Sequence, residues 1–209
     1  MSGEHYFSAV PASAERPRRI RVTLDGSEFE FETAGGVFSA DGIDPGTRVL
    51  LDTAPPPPES GAVLDLGCGW GPIAIALARR APRADVWAVD VNQRALALAA
   101  ANARIADVRV NCASPDDIPP QLRFATIWSN PPIRIGKEAL HELLATWLPR
   151  LAPGGSAWLV VAKQLGADSL ARWLEDEGWD VGREGAKRGY RVLAVSRRTA
   201  SSGSATSPR

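Results

Sequence analysis

Val63-Leu64-Asp65-Leu66-Gly67-Cys68-Gly69-Trp70-Gly71 decides the fold of this 209-residue chain. The apolar run at 62–66 is short enough for a buried strand. It breaks into three alternating glycines, which let the backbone turn tightly and let a ligand approach the main chain without meeting a Cβ. Pro72 and the helix formers behind it then open a helix whose first N–H groups point back at the same spot. Strand, glycine turn and helix start make a nucleotide-binding corner. The spacing is G-x-G-x-G, which departs from the dinucleotide fingerprint G-x-G-x-x-G.

Two further stretches sharpen that reading. Ala84-Asp85-Val86-Trp87-Ala88-Val89 reads as a second strand and ends in Asp90. An acid about 20 residues past the glycines suits a ribose diol, because both hydroxyls can donate to one carboxylate. Asn92 caps the helix that follows. Another apolar run, Ala125-Thr126-Ile127-Trp128, leads into Ser129-Asn130-Pro131-Pro132-Ile133. Two consecutive prolines have no N–H for a ladder and hold the backbone extended. Carbonyls and one amide side chain are then the free polar groups, an acceptor array suited to an exocyclic amine.

The rest of the chain alternates around these motifs. Strands are expected at 62–66, 84–90, 108–112, 124–129, 156–162, 179–184 and 190–196, and helices at 72–80, 92–104, 137–150 and 167–177. This alternation implies an α/β fold with a mostly parallel sheet and right-handed crossovers. The short connection at 184–189 makes the last two strands antiparallel. Residues 18–33 alternate around Asp25-Gly26 and read as a hairpin. A short helix within 44–54 is stopped by Pro55 to Pro58, a stiff linker. The expected organisation is an N-terminal hairpin and helix extension over 1–60, a catalytic core over 61–198, and a Ser/Thr/Pro-rich disordered tail over 199–209.

Asp65-Leu66-Gly67-Cys68-Gly69-Trp70-Gly71, Asp90 and Asn130-Pro131-Pro132-Ile133 together resemble the motifs of class I S-adenosylmethionine-dependent methyltransferases that act on amino nitrogens. The longer run from Asn130 to His141 resembles the "methyltransferase small" group, which includes 16S ribosomal RNA guanine-N2 methyltransferases and short single-domain relatives. His5-Tyr6-Phe7-Ser8, Gly36-Val37-Phe38-Ser39, Asp41-Gly42 and Lys187 to Leu193 extend the likeness over nearly the whole chain. It implies a Rossmann-like seven-stranded sheet of order 3-2-1-4-5-7-6. It implies S-adenosylmethionine held by Asp65, Gly67, Gly69, Gly71, Asp90, Val91, Ala113, Ser114 and Asn130. Catalysis falls to Asn130, Pro131 and Pro132: the Asn130 side-chain oxygen and the Pro131 carbonyl would accept the two amine protons. Many relatives carry an Asp after the third strand, where this chain has Cys112-Ala113-Ser114-Pro115-Asp116; Ser114 or Asp116 is left to meet the adenine. The aromatic residue common after Asn-Pro-Pro is Ile133 here, an apolar wall without π-stacking, so the base contact is either weaker or supplied by Phe38 or Tyr190.

The implied substrate is an amine, most readily guanine N2 of ribosomal RNA. The alternatives are a protein glutamine, a small-molecule amine, or a non-catalytic cofactor-binding assembly factor. In a parallel sheet the C-terminal strand ends face the ligand. The fourth and fifth strands therefore bring Arg134, Lys137 and Lys163 to the rim of one pocket, and the last strand brings Lys187, Arg188 and Tyr190. These side chains could instead pair with Glu138, Glu142 or Glu184.

Composition bounds the remainder. Lysine plus arginine equals aspartate plus glutamate at 24 each, which disfavours indiscriminate nucleic-acid binding and leaves only local basic patches. Such clusters occur at Arg16, Arg18, Arg19 and Arg21, at Lys187 and Arg188, and at Arg197 and Arg198. Cys68 and Cys112 are too few for a disulfide framework or a zinc site, and His5 and His141 have no ligand-like neighbours. His141 is expected on an exposed helix face and Cys68 beside the glycine loop. No signal or membrane-length apolar run is present. The expectation is a cytoplasmic protein with no metal and no membrane partner, its oligomeric state left open between monomer and weak dimer.

Overall fold

Ala62–Leu66 forms a strand at the centre of a seven-stranded sheet. The computed structural model describes residues 17–198. His5 and its motif, Arg16 and the 199–209 tail lie outside the described residues, as does the side chain of Arg134. In chain order the elements are β1 (Arg18–Leu24), β2 (Ser27–Thr33), α1 (Pro45–Thr53), β3 (Ala62–Leu66), α2 (Pro72–Arg80), β4 (Asp85–Val89) and α3 (Gln93–Ile105). They continue as β5 (Asn111–Ala113), β6 (Phe124–Ser129), α4 (Lys137–Trp147), β7 (Leu151–Ala162), α5 (Ala167–Asp176), β8 (Trp179–Lys187) and β9 (Tyr190–Arg197). The sheet order is β5-β4-β3-β6-β7-β9-β8, which is 3-2-1-4-5-7-6 counted from β3. β3 pairs parallel with β4 and β6, whereas β9 runs antiparallel between β7 and β8.

Strand side chains alternate between two cores, as a sheet covered on both faces requires. Val63, Ala88, Trp128 and Val160 pack with α1, α2, α3 and the hairpin. Leu64, Val89, Ile127 and Leu159 pack with α4 and α5. The hairpin forms its own two-stranded sheet and closes through Asp25 and Gly26, both at positive φ. It is tied to the core by Arg48, which donates to the Thr23 carbonyl, by Arg79, which donates to Ser27 Oγ, and by two further residues. Arg80 donates to the Asp25 carboxylate and to the Leu51 carbonyl. Asn102, fully buried, accepts from Glu32 N and donates to the Glu32 and Trp70 carbonyls.

Several boundaries differ from the sequence reading, and three of them have a clear local reason. β5 starts at Asn111 rather than 108, because Asp107 takes a left-handed conformation and Val108 N still bonds to the Ala103 carbonyl. That is the Schellman-type exit from α3. β7 starts five residues early, through an irregular pairing with β6 around Gly155. β8 runs to Lys187, and its turn to β9 is only Arg188 and Gly189, both at positive φ as a two-residue hairpin turn demands.

Candidate functional site

The C-terminal ends of β3, β4, β6 and β7 open on a cavity of about 410 Å³. Gly67 and Gly69 form one wall at φ 76° and 55°. The Gly67 and Cys68 N–H groups both bond to the Val89 carbonyl, which ties the glycine turn to the end of β4. Asp90 stands at that end, half-buried, and lines the cavity. Its carboxylate accepts from Gly69 N at 3.0 Å and Asn92 N at 2.9 Å. Burial pushes its pKa up from the ordinary value, against the pull of these backbone bonds. One carboxylate thus shapes the glycine turn and keeps lone pairs for a ligand.

The segment over 34–44 covers the opening. Trp70 Nε1 donates to the Ser39 carbonyl and Asn92 Nδ2 to the Gly36 carbonyl. Phe38, Val91 and Leu165 are large apolar side chains left 46%, 40% and 47% exposed, and all three line the cavity. The exposed apolar surface is therefore concentrated at the mouth, where a flat heterocycle would cover it.

Asn130 follows β6 on the opposite wall. Its Nδ2 donates to Asp44 Oδ2 at 2.9 Å and to Thr47 Oγ1 at 3.0 Å. The ionised carboxylate can only accept, so the orientation of the amide follows from chemistry. The side-chain oxygen is turned the other way and has no partner among the described residues. The Pro131 carbonyl accepts from Ile133 N at 2.8 Å across Pro132, an inverse γ-turn, and keeps a second lone pair. Pro131, Pro132, Ile133, Tyr190 and Gln164 complete this side.

The cavity thus brings together Gly67, Gly69, Asp90, Val91, Asn130, Pro131, Pro132, Ile133, Phe38 and Tyr190. Other expected site residues stand elsewhere. Asp65 is fully buried beneath the turn and accepts from Ala74 N, so it braces α2 rather than facing the cavity. Gly71 begins α2 at φ 95°, where a Cβ would lie 3.1 Å from Ala99, so its role is close helix packing. Ala113 and Ser114 are outside the wall and Pro115 is in it; Ser114 Oγ donates to Asp117 instead, and Asp116 is exposed.

Lys137, Lys163 and Arg188 are exposed beyond the cavity wall and carry no ion pair among the described residues. Lys163 N donates to the Gly189 carbonyl, which sets Lys163 beside Arg188. Lys187 belongs to β8 and pairs with Asp52 at 3.7 Å, a partner from α1 that spacing along the chain could not reveal. Arg18 pairs with Asp41 and Arg19 with Glu30, while Arg197 reaches the Pro149 carbonyl and Arg198 pairs with Asp180. Arg21 is exposed and carries no ion pair among the described residues, so these two clusters are balanced only in part. His141 is half-buried and stacks on Trp173 at 3.7 Å. Burial holds the Cys68 thiol well above its usual pKa, so it stays protonated. Among the described residues no group of three or more His, Cys, Asp and Glu side chains could hold a metal ion, and no helix is long and apolar enough to cross a membrane.

Asp44, Thr47, Asn92, Gln164 and Leu165 are the residues that sequence reasoning missed. Asp44-Pro45 carries a helix-start signal, and Asp44 does cap α1. Its contact with Asn130, 86 positions away, has no local signature.

The family model for the methyltransferase small domain matches residues 28–194. The protein YbxB of Bacillus subtilis is 33% identical over 194 residues, covering 91% of this chain and 96% of its own. Ribosomal RNA small subunit methyltransferase C of Shewanella amazonensis is 30% identical over 170 residues, covering 76% of this chain and 49% of its own. The structure of the T. thermophilus 16S rRNA N2 G1207 methyltransferase, in complex with AdoMet and guanosine, superposes with a TM-score of 0.74 at 25% identity. It covers 87% of this chain and 51% of that one. The chain therefore spans about half the length of these ribosomal RNA methyltransferases and nearly all of the Bacillus protein.

Proposed function

This chain belongs to the methyltransferase small-domain family, a family of S-adenosylmethionine-dependent methyltransferases, and from that membership we propose that it methylates guanine N2 in ribosomal RNA. The cavity fits the methyl donor. Its volume lies within the range of small-molecule sites, Asp90 presents a carboxylate for a ribose diol, and exposed Val91 offers an apolar surface beside it. Gly67 leaves open space where any other residue would project a Cβ. Asp90, Val91, Gly67 and Gly69 would hold the donor, which supplies an already activated methyl group.

The protein's part is then positioning, which can contribute about 7–11 kcal/mol to a reaction of this kind. The observation that carries the reading is the orientation of Asn130. With Nδ2 bound to Asp44 and Thr47, its oxygen and the Pro131 carbonyl remain as two acceptors at one wall. They suit an NH₂ group whose lone pair must be aimed and whose nitrogen becomes more positive as it reacts. Acceptors that strengthen as charge develops stabilise the transition state more than the ground state. Exposed Phe38 and the half-buried ring of Tyr190 supply apolar faces for a base. Support for RNA comes from the ribosomal RNA methyltransferases that share the family and from Lys137, Lys163 and Arg188 near the cavity, which carry no ion pair among the described residues. The reaction belongs in the cytoplasm on this reading.

Label transfer tests it. Full-length protein is incubated with tritiated S-adenosylmethionine and either 16S ribosomal RNA or total soluble protein. The label is expected in RNA and not in protein. Label in protein alone would move the assignment to a protein side-chain amide.

A further inference from the structure

The N-terminal end of α1 contributes directly to the acceptor wall. Asp44 Oδ2 accepts from Gly46 N at 2.7 Å and Thr47 N at 3.2 Å, the bonds that cap α1. The same oxygen accepts from Asn130 Nδ2, and Thr47 Oγ1 accepts the second bond from that nitrogen. Thr47 is buried. A Cβ placed on Gly46 would lie 2.8 Å from Asp44 Oδ2 and 2.8 Å from Tyr190 Cε1, so the carboxylate, α1 and the Tyr190 ring are in close register.

We propose that Asp44, with Thr47, is a positioning residue that selects which end of the Asn130 amide faces the substrate. A freely rotating amide would present its NH₂ to the cavity for part of the time, a donor that repels an amine's hydrogens. A carboxylate and a hydroxyl oxygen, both acceptors, hold the NH₂ end and leave the oxygen to the amine. Folding of α1 onto the core is thereby coupled to turnover through two oxygen atoms, Asp44 Oδ2 and Thr47 Oγ1. The proposal rests on the reading of Asn130 as the amine's acceptor.

The decisive variant is Asp44→Ser. Serine keeps an N-cap oxygen for α1 but is too short to hold Asn130. Two readouts are taken on the full chain. The first is the Asn130 side-chain NH₂ signal in a ¹⁵N correlation spectrum, identified by its loss in Asn130→Ala. It is expected to be slowly exchanging in wild type, to become solvent-like in Asp44→Ser, and to be restored in Asp44→Asn. The second is methyl transfer to 16S ribosomal RNA, where Asp44→Ser is expected to lose about 10- to 100-fold in kcat with S-adenosylmethionine affinity nearly unchanged. In the Asn130→Ala background the same substitution should add no further loss. An unchanged NH₂ signal, or an equal kcat loss with and without Asn130, would overturn the proposal. Absence of transfer by wild type would count against the RNA reading alone, and the NH₂ signal would still decide the role of Asp44.

Discussion

Asp65 carries a carboxyl group into the fully buried space beneath the glycine turn. Burial raises its pKa from 3.8 to about 8, and neighbouring Asp90 adds to the rise, while the bond from Ala74 N opposes it. Its second oxygen, Oδ1, has no hydrogen-bond partner among the described residues. The sign of the consequence follows from proton binding. The unfolded chain releases this proton near 3.8 and the folded protein near 8, so between those values the folded state holds one proton more. Stability from this group is complete below about 4 and falls as pH rises towards 8. Asp65→Asn removes the titration, so its stability curve should be flatter than wild type across that window. Urea melts of both proteins at pH 5 and pH 8 check this; a constant difference between them would contradict it. At this scale the motifs named residues that cluster around the cavity, and side-chain direction decides which of them face it. Asp65 and Gly71 lie within a motif whose neighbours touch the cavity, yet their own contacts, Ala74 and Ala99, face inward. Side-chain direction at a tight turn depends on packing that no spacing encodes.

The elements were the most legible level. β3, α2 and β6 fall at the expected boundaries because apolar runs, a glycine turn and prolines mark both ends. The hairpin was legible from alternation and Asp25-Gly26, but its docking was not. Asn102 sits mid-helix in α3 and pairs with Glu32, 70 positions away. A polar residue there reads as ordinary helix surface until the hairpin is placed beside it. Asn102→Ala would leave the Glu32 N–H and two carbonyls without their partner. We expect a loss of about 1–3 kcal/mol, the scale for a buried polar group left unpaired, together with faster hydrogen exchange at the Glu32 amide. Unaltered denaturant stability and exchange would mean that the arginine contacts to Thr23, Ser27 and Asp25, with apolar packing, hold the hairpin without Asn102.

For the whole molecule, net charge is zero, so any RNA affinity must come from where the charges lie. The Arg18, Arg19 and Arg198 cations are paired, whereas Lys137, Lys163 and Arg188 surround the cavity without ion-pair partners among the described residues. Reversing Lys163 and Arg188 to glutamate should weaken RNA binding and flatten its dependence on salt by about 1–2 units of log–log slope, since each phosphate contact releases roughly one counterion. Identical titrations for wild type and double variant would remove this rim from the binding surface.

The most direct test of the account follows the methyl group to its atom. Wild-type protein and Asn130→Ala are each given 16S ribosomal RNA and S-adenosylmethionine bearing a deuterated methyl, and the RNA is digested to nucleosides for mass analysis. Wild type is expected to give deuterated N2-methylguanosine, and Asn130→Ala a product rate about 100- to 1,000-fold lower, with donor affinity nearly unchanged. Label on a ribose oxygen or a ring carbon, or N2-methylguanosine formed at the wild-type rate without Asn130, would contradict it.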